Sequence, residues 1–331
     1  MKHRISRRDF LEASKAVAAG ASMCSAARSR MSGEPSLLSH GRQDAGTAPS
    51  REPLPIRKGV LLDMLPRNLG YRERFKLARD AGFEVLQVPA TGDHREAEAM
   101  AKAAQLARID IDSVMNRAHW EYPLSSSDPA VVKRGLESIE TSLRNAKFWG
   151  AQAVLLVPAV VNPETSYREA WVRSQKHIRS MIPLATELKV VIAIEEVWNK
   201  FLLSPLEMAA YVDQFGSPWV QAWFDVGNVV LYGYPQDWIH TLGSRINRLH
   251  LKDFKMEKSS FSWENLGDGD IDWASVRRAL GETGFHGSAI CELEGGDASY
   301  LRDLSKRVDR LVLGINGTGE ATRIFGAEIR A

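Results

Sequence analysis

With 331 residues, 44% of them hydrophobic, the chain is long enough to bury a sizeable core as one large domain or two small ones. Its net charge of +2 conceals an asymmetry: residues 1–58 hold 11 Lys/Arg against 5 Asp/Glu, and the remainder holds 32 against 36. The part expected to fold is therefore mildly acidic, which excludes a nucleic-acid partner. The two cysteines, Cys24 and Cys291, give no reason to expect a structural disulfide. Cys291 lies in an apolar run and reads as a small buried hydrophobe rather than a nucleophile.

The chain opens with Ser6-Arg7-Arg8-Asp9-Phe10-Leu11, followed over residues 16–27 by an Ala-rich, weakly apolar stretch too short to span a bilayer as a helix. This resembles a twin-arginine export signal, which implies the twin-arginine export machinery as a partner, a periplasmic destination, and cleavage near Ser25-Ala26-Ala27. Residues 28–56 are rich in Ser, Gly, Pro and charge and lack a hydrophobic period, so they read as a disordered linker. A single domain is expected over 57–316, with a C-terminal tail at 317–331.

Within that domain strand-like and helix-like patterns alternate. Strands are expected at 59–63, 83–88, 109–115, 153–157, 190–196, 220–225, 245–251 and 287–292. Helices should start near Tyr71, Asp93, Asp128, Ser166, Ser204, Pro235, Asp272 and Asp297. Asp128-Pro129 and Ser204-Pro205 each put a capping side chain before a proline at the first helical position, and Asp272 and Asp297 can cap the last two helices. Gly82 and Gly150 follow helical runs as C-terminal caps do. Eight strand-helix units over roughly 250 residues predict a (β/α)8 TIM barrel, an α/β fold. The rival, a doubly wound open sheet, lacks support because no Gly-rich phosphate loop follows any strand.

Four of the expected strands end on metal-type ligands: Glu195-Glu196, Asp225, His250 and Glu292. A barrel brings successive strand ends to one face, so these side chains can share a site. Three carboxylates and an imidazole without thiolate suit one hard or borderline divalent ion, with Mn²⁺ favoured and Mg²⁺, Co²⁺ or Zn²⁺ as alternatives. Residues 190–194 are apolar at both parities, so periodicity leaves the choice between Glu195 and Glu196 open.

The motifs Glu196-Val197-Trp198-Asn199, Phe224-Asp225, His250-Leu251-Lys252-Asp253, 267–273 (Gly-Asp-Gly-Asp-Ile-Asp-Trp) and Glu292 resemble, in order, those of the xylose-isomerase-like sugar isomerase and epimerase superfamily. The resemblance covers about residues 58–315. It implies a (β/α)8 barrel with Glu196, Asp225, His250 and Glu292 as metal ligands, and it places the two glutamates, Glu196 and Glu292, to move protons. The chain departs from the ketose 3-epimerase pattern at Lys200, where those enzymes carry Arg, and at Asn228, where they carry His. The loop after His250 also contains lysines and no arginine.

A divalent ion chelating a carbonyl oxygen and its neighbouring hydroxyl would stabilise the enediolate left when the proton alpha to the carbonyl is removed. Two carboxylates flanking that carbon can take and return the proton, which allows epimerisation, isomerisation or β-elimination. His119, Trp120, Asn228 and Lys252 are candidate substrate contacts. Trp120 serves equally as loop packing, and Lys252 equally as an ion-pair partner of Asp253. Trp198, Trp223 and Trp238 read as core or rim packing. The expected function is an exported, metal-dependent isomerase or epimerase of an unphosphorylated keto-sugar or related polyol, with oligomeric state left open. The alternatives are a lyase or dehydratase acting on a 3-keto-glycoside or inosose, and a non-catalytic sugar-binding barrel.

Overall fold

The computed structural model describes residues 52–258 and 260–315. The proposed export signal, Cys24 and the tail at 317–331 lie outside the described residues, as does the expected linker up to residue 51. The end of that linker behaves differently. Leu54 and Ile56 are buried in the core, and the Leu54 N–H donates to the Leu313 carbonyl at 3.0 Å. Both apolar side chains gain from leaving water, so folded chain begins a few residues before the expected boundary.

Eight parallel strands close into a barrel: β1 (Arg57–Leu61), β2 (Val85–Pro89), β3 (Asp110–Met115), β4 (Ala153–Leu156), β5 (Val191–Glu195), β6 (Val220–Asp225), β7 (Ile246–Leu251) and, last in the chain, β10 (Ser288–Cys291). Around it run α1 (Tyr71–Asp80), α2 (His94–Ala107), α3 (Pro129–Trp149), α4 (Tyr167–Leu188), α5 (Pro205–Asp213), α6 (Pro235–Leu242), α7 (Trp273–Glu282) and α8 (Ala298–Val308). Helix starts follow local chemistry. Asp128 accepts from Ala130 N–H, Ser204 from Glu207, Asp272 from Ser275, and Asp297 from Ser299 and Tyr300. Each such cap is worth about 1 kcal/mol. Gly82 and Gly150 take positive φ values of 97° and 74° where α1 and α3 end, a conformation that costs other residues a Cβ clash.

The barrel interior is layered, because alternate residues of each strand point inward. Toward the N-terminal ends of the strands, Arg248 makes a bidentate pair with Asp112, at 2.7 Å and 3.2 Å, and Ser288 donates to Asp112 at 2.9 Å. These groups satisfy one another in a buried setting where either charge alone would be costly. His250 lies two residues further along β7 with the same parity as Arg248, one layer nearer the C-terminal ends. Trp223 fills part of that layer, its ring 4.8 Å from the His250 imidazole.

One element was not expected. After β7 the chain forms an antiparallel hairpin, β8 (Asp253–Glu257) and β9 (Ser260–Glu264), which lies outside the barrel sheet. Asp253 anchors its base: the buried carboxylate accepts from the backbone N–H groups of Phe254, Gly267 and Ile271 and from the Trp273 indole, at 2.7 to 3.3 Å. A buried donor left without a partner costs about 1–3 kcal/mol, so one carboxylate serving four of them fixes the loop from the hairpin to α7. Phe254, Phe261 and Trp263 pack with Trp198, from the loop after β5, into one aromatic cluster.

Candidate metal centre at the strand ends

Glu195, Asp225 and His250 occupy the C-terminal portions of β5, β6 and β7, and Glu292 directly follows β10. Each offers one ligand atom, and the four atoms lie within 4.8 Å of one another. His250 Nδ1 is 2.8 Å from Glu195 Oε1, 3.2 Å from Glu292 Oε2 and 3.8 Å from Asp225 Oδ2. Three carboxylates converging this closely repel one another unless positive charge is shared among them. Hard oxygen donors with one imidazole fit a divalent cation, which these four residues could hold.

The glutamate in this cluster is Glu195, not the Glu196 that the motif resemblance selected. Glu195 shares inward parity with Ala193. Glu196 is one residue on, and its Oε1 accepts the Asp225 backbone N–H at 2.8 Å. Its Oε2 is buried without a hydrogen-bond partner among the described residues. Burial, then the charges of Asp225 and Glu195, push the Glu196 carboxyl well above the ordinary carboxylate range. Its charged form is disfavoured, which suits a buried bracing group behind Asp225 better than a ligand.

The structure also reveals a partner the sequence reading missed. His250 Nε2 lies 2.8 Å from Oε1 of Gln87, a fully buried side chain on β2. With the amide oriented this way its oxygen can accept an Nε2 proton, which would free Nδ1 to bind an ion in place of its 2.8 Å contact with Glu195 Oε1. That is the tautomer ligation requires. The available signal was a lone amide in the apolar run Val85-Leu86-Gln87-Val88-Pro89. Gln87→Leu should weaken binding of a divalent ion about 10- to 100-fold, the usual effect of losing such a supporting partner. Calorimetric titration of parent and variant with Mn²⁺ checks this, and equal affinities would show that Gln87 is only packing.

The other candidates fall in different places. Lys252 does not pair with Asp253, whose oxygens are occupied by N–H donors. Its Nζ is 2.7 Å from Asp225 Oδ2 and 3.1 Å from Glu292 Oε2, which places it in the cluster itself. Asn228 is also close, but its amide donates to the Glu196 carbonyl at 2.9 Å and its N–H to Asp225 Oδ1 at 3.0 Å. These bonds brace the loop after β6.

His119 is buried beside Trp120, with ring centroids 5.1 Å apart, and Trp120 is 41% exposed in the turn after β3. Trp223 and Trp238 are core residues, and the Trp198 indole donates to the Asn228 carbonyl at 2.8 Å. Cys291 is a fully buried thiol whose burial pushes its pKa up, away from nucleophilic use.

The profile of the xylose isomerase-like TIM barrel family matches residues 75–310. The chain belongs to that family. Among its curated relatives, L-ribulose-5-phosphate 3-epimerase UlaE of Escherichia coli O1:K1 is 25% identical over 251 residues, covering 72% of this chain and 87% of the relative. A solved L-ribulose 3-epimerase superposes with a TM-score of 0.65 at 18% identity, covering 78% of this chain and 95% of its own. The 3-keto-D-glucoside 4-epimerase YcjR of E. coli superposes with a TM-score of 0.66 at 14% identity, over 77% of this chain and 99% of its own. The structural likenesses establish the barrel. The named sugar epimerases among the relatives point toward isomerase-type chemistry.

Proposed function

We propose that the protein is a divalent-metal-dependent sugar epimerase acting on an unphosphorylated keto-sugar or related polyol. The observation that carries this reading is the convergence of Glu195, Asp225, His250 and Glu292 at one end of a barrel whose relatives include sugar epimerases. A divalent ion held by these four residues supplies Lewis-acid polarisation of the substrate carbonyl.

The protein's own groups do the rest. Glu195 and Glu292 come from non-adjacent strands, so they reach the substrate from different directions. One takes the proton from the carbon next to the carbonyl, and the other delivers a proton to the opposite face. His250, held by Gln87 through Nε2, would offer Nδ1 as the nitrogen ligand of that ion. The aromatic cluster on the hairpin excludes water from that side of the barrel mouth, and Trp120 offers a flat apolar face to a sugar ring.

Screening Mn²⁺-loaded protein against a panel of keto-sugars and keto-glycosides tests the proposal. An epimer of one panel member is the expected product. A cleaved or dehydrated product would assign the site to a lyase instead, and binding without turnover would leave a sugar-binding barrel.

Export is a further part of the proposal. It rests on Ser6-Arg7-Arg8-Asp9-Phe10-Leu11 and would place the enzyme in the periplasm, away from cytoplasmic sugar phosphates. Replacing Arg7 and Arg8 by Lys should leave full-length precursor inside the cell. Equal export of variant and parent would refute the signal.

A further inference from the structure

Lys252 is two residues beyond His250 and places a fixed positive charge within the carboxylate cluster. Its ammonium contacts two of the four candidate ligand residues, Asp225 Oδ2 at 2.7 Å and Glu292 Oε2 at 3.1 Å. It also lies 4.7 Å from the centroid of the Trp263 ring on β9, a cation–π position. The side chain is only 11% exposed, so solvent and salt screen it weakly.

The neighbouring backbone is shaped to admit it. A Cβ at Gly227 would come within 2.6 Å of Lys252 Cγ, 3.1 Å of the Trp263 ring and 3.2 Å of the Lys252 carbonyl. Gly227 in turn donates its N–H to Asp225 Oδ1 at 2.8 Å. The same two-residue turn therefore orients a ligand carboxylate and leaves a channel for the lysine stem.

The charge count is informative. Three carboxylates, a neutral imidazole and one ammonium sum to −2, which a single divalent ion neutralises. Without the ammonium the same ion leaves a residual −1 at the place where negative charge must build on the substrate oxygens. We propose that Lys252 is the built-in counter-charge of the centre: it tempers affinity for the ion, holds the site to one equivalent, and keeps the centre neutral so that charge can move onto the substrate.

This inference rests on reading the cluster as a metal centre, and it distinguishes itself from a structural role by sign. A lysine that only braced the site would, when removed, weaken metal binding and turnover together. A counter-charge, when removed, should strengthen the first and weaken the second.

The experiment is calorimetric titration of Mn²⁺ into chelator-stripped full-length protein, with circular dichroism to verify folding. The parent is expected to bind one equivalent. Lys252→Met should bind it about tenfold tighter or more, because a like charge a few ångströms from the ion has gone. Its turnover of whichever panel sugar the parent accepts should fall about 100-fold. Lys252→Arg, which keeps the charge, should stay close to parent affinity. Should the methionine variant not fold, Lys252→Gln reads the same quantity. A parent that binds two equivalents, or a folded Lys252→Met whose Mn²⁺ affinity is equal to or weaker than the parent's, would overturn the counter-charge role while leaving the metal centre standing. A parent that binds no Mn²⁺ would overturn both.

Discussion

Glu195→Gln is expected to lower affinity for a divalent ion by more than about 100-fold and to abolish most turnover, whereas Glu196→Gln should do neither. The two residues are adjacent, and a substitution of the same size and chemistry is made in each. Only Glu195 directs a carboxylate oxygen at His250 Nδ1, 2.8 Å away, within the group of four ligand atoms. A first ligand should cost more than the 10- to 100-fold typical of an outer partner. Glu196 is different because its charged form is already disfavoured by burial and by its two acidic neighbours. An amide there keeps an oxygen to accept the Asp225 N–H, so affinity should stay within about tenfold of the parent. Metal content and affinity measured on the two purified variants decide between them. Loss of the ion in Glu196→Gln with retention in Glu195→Gln would reverse the assignment.

Glu292→Gln should cut epimerisation by about 10²- to 10⁴-fold, the usual contribution of a positioned acid-base group. As Glu292 is also a proposed ligand, the assay belongs at saturating Mn²⁺ with bound metal measured in the same sample. Solvent deuterium gives a sharper reading. If Glu195 and Glu292 serve opposite faces of the same carbon, the variant retains one base. Starting from one epimer, exchange of the alpha proton should continue without conversion. Starting from the other, neither exchange nor conversion should occur. Symmetric loss of exchange from both epimers in a metal-replete variant would contradict a two-base mechanism.

The difference between Glu195 and Glu196 also shows where the sequence stops being informative. The barrel was legible because its strands are short apolar runs and several of its helices begin on capping side chains; Asp128, Ser204, Asp272 and Asp297 all cap where expected. The strand-end acids and His250 were legible as a set for the same reason, since a polar residue closing an apolar run stands out. Parity was not, because β5 packs against helices on one side and the barrel interior on the other, leaving both faces apolar. Gln87 escaped because a lone buried amide means little until its partner, His250, is known. The hairpin was hidden by composition: residues 253–264 mix charge with aromatics, and their order depends on donors to Asp253 from as far on as Trp273 and on Trp198 from the loop after β5. The ion-pair partners of Lys252 were not legible because they come from β6 and from the end of β10, contacts that closure of the barrel creates.

The fate of one hydrogen tests metal-assisted proton transfer most directly. Mn²⁺-loaded protein, incubated in deuterium oxide with the panel sugar it converts, is predicted to yield an epimer carrying one solvent deuterium on the inverted carbon, and chelator-stripped protein to yield none until Mn²⁺ is restored. An epimer free of solvent deuterium, or conversion at an undiminished rate after stripping, would contradict metal-assisted proton transfer at Glu195, Asp225, His250 and Glu292.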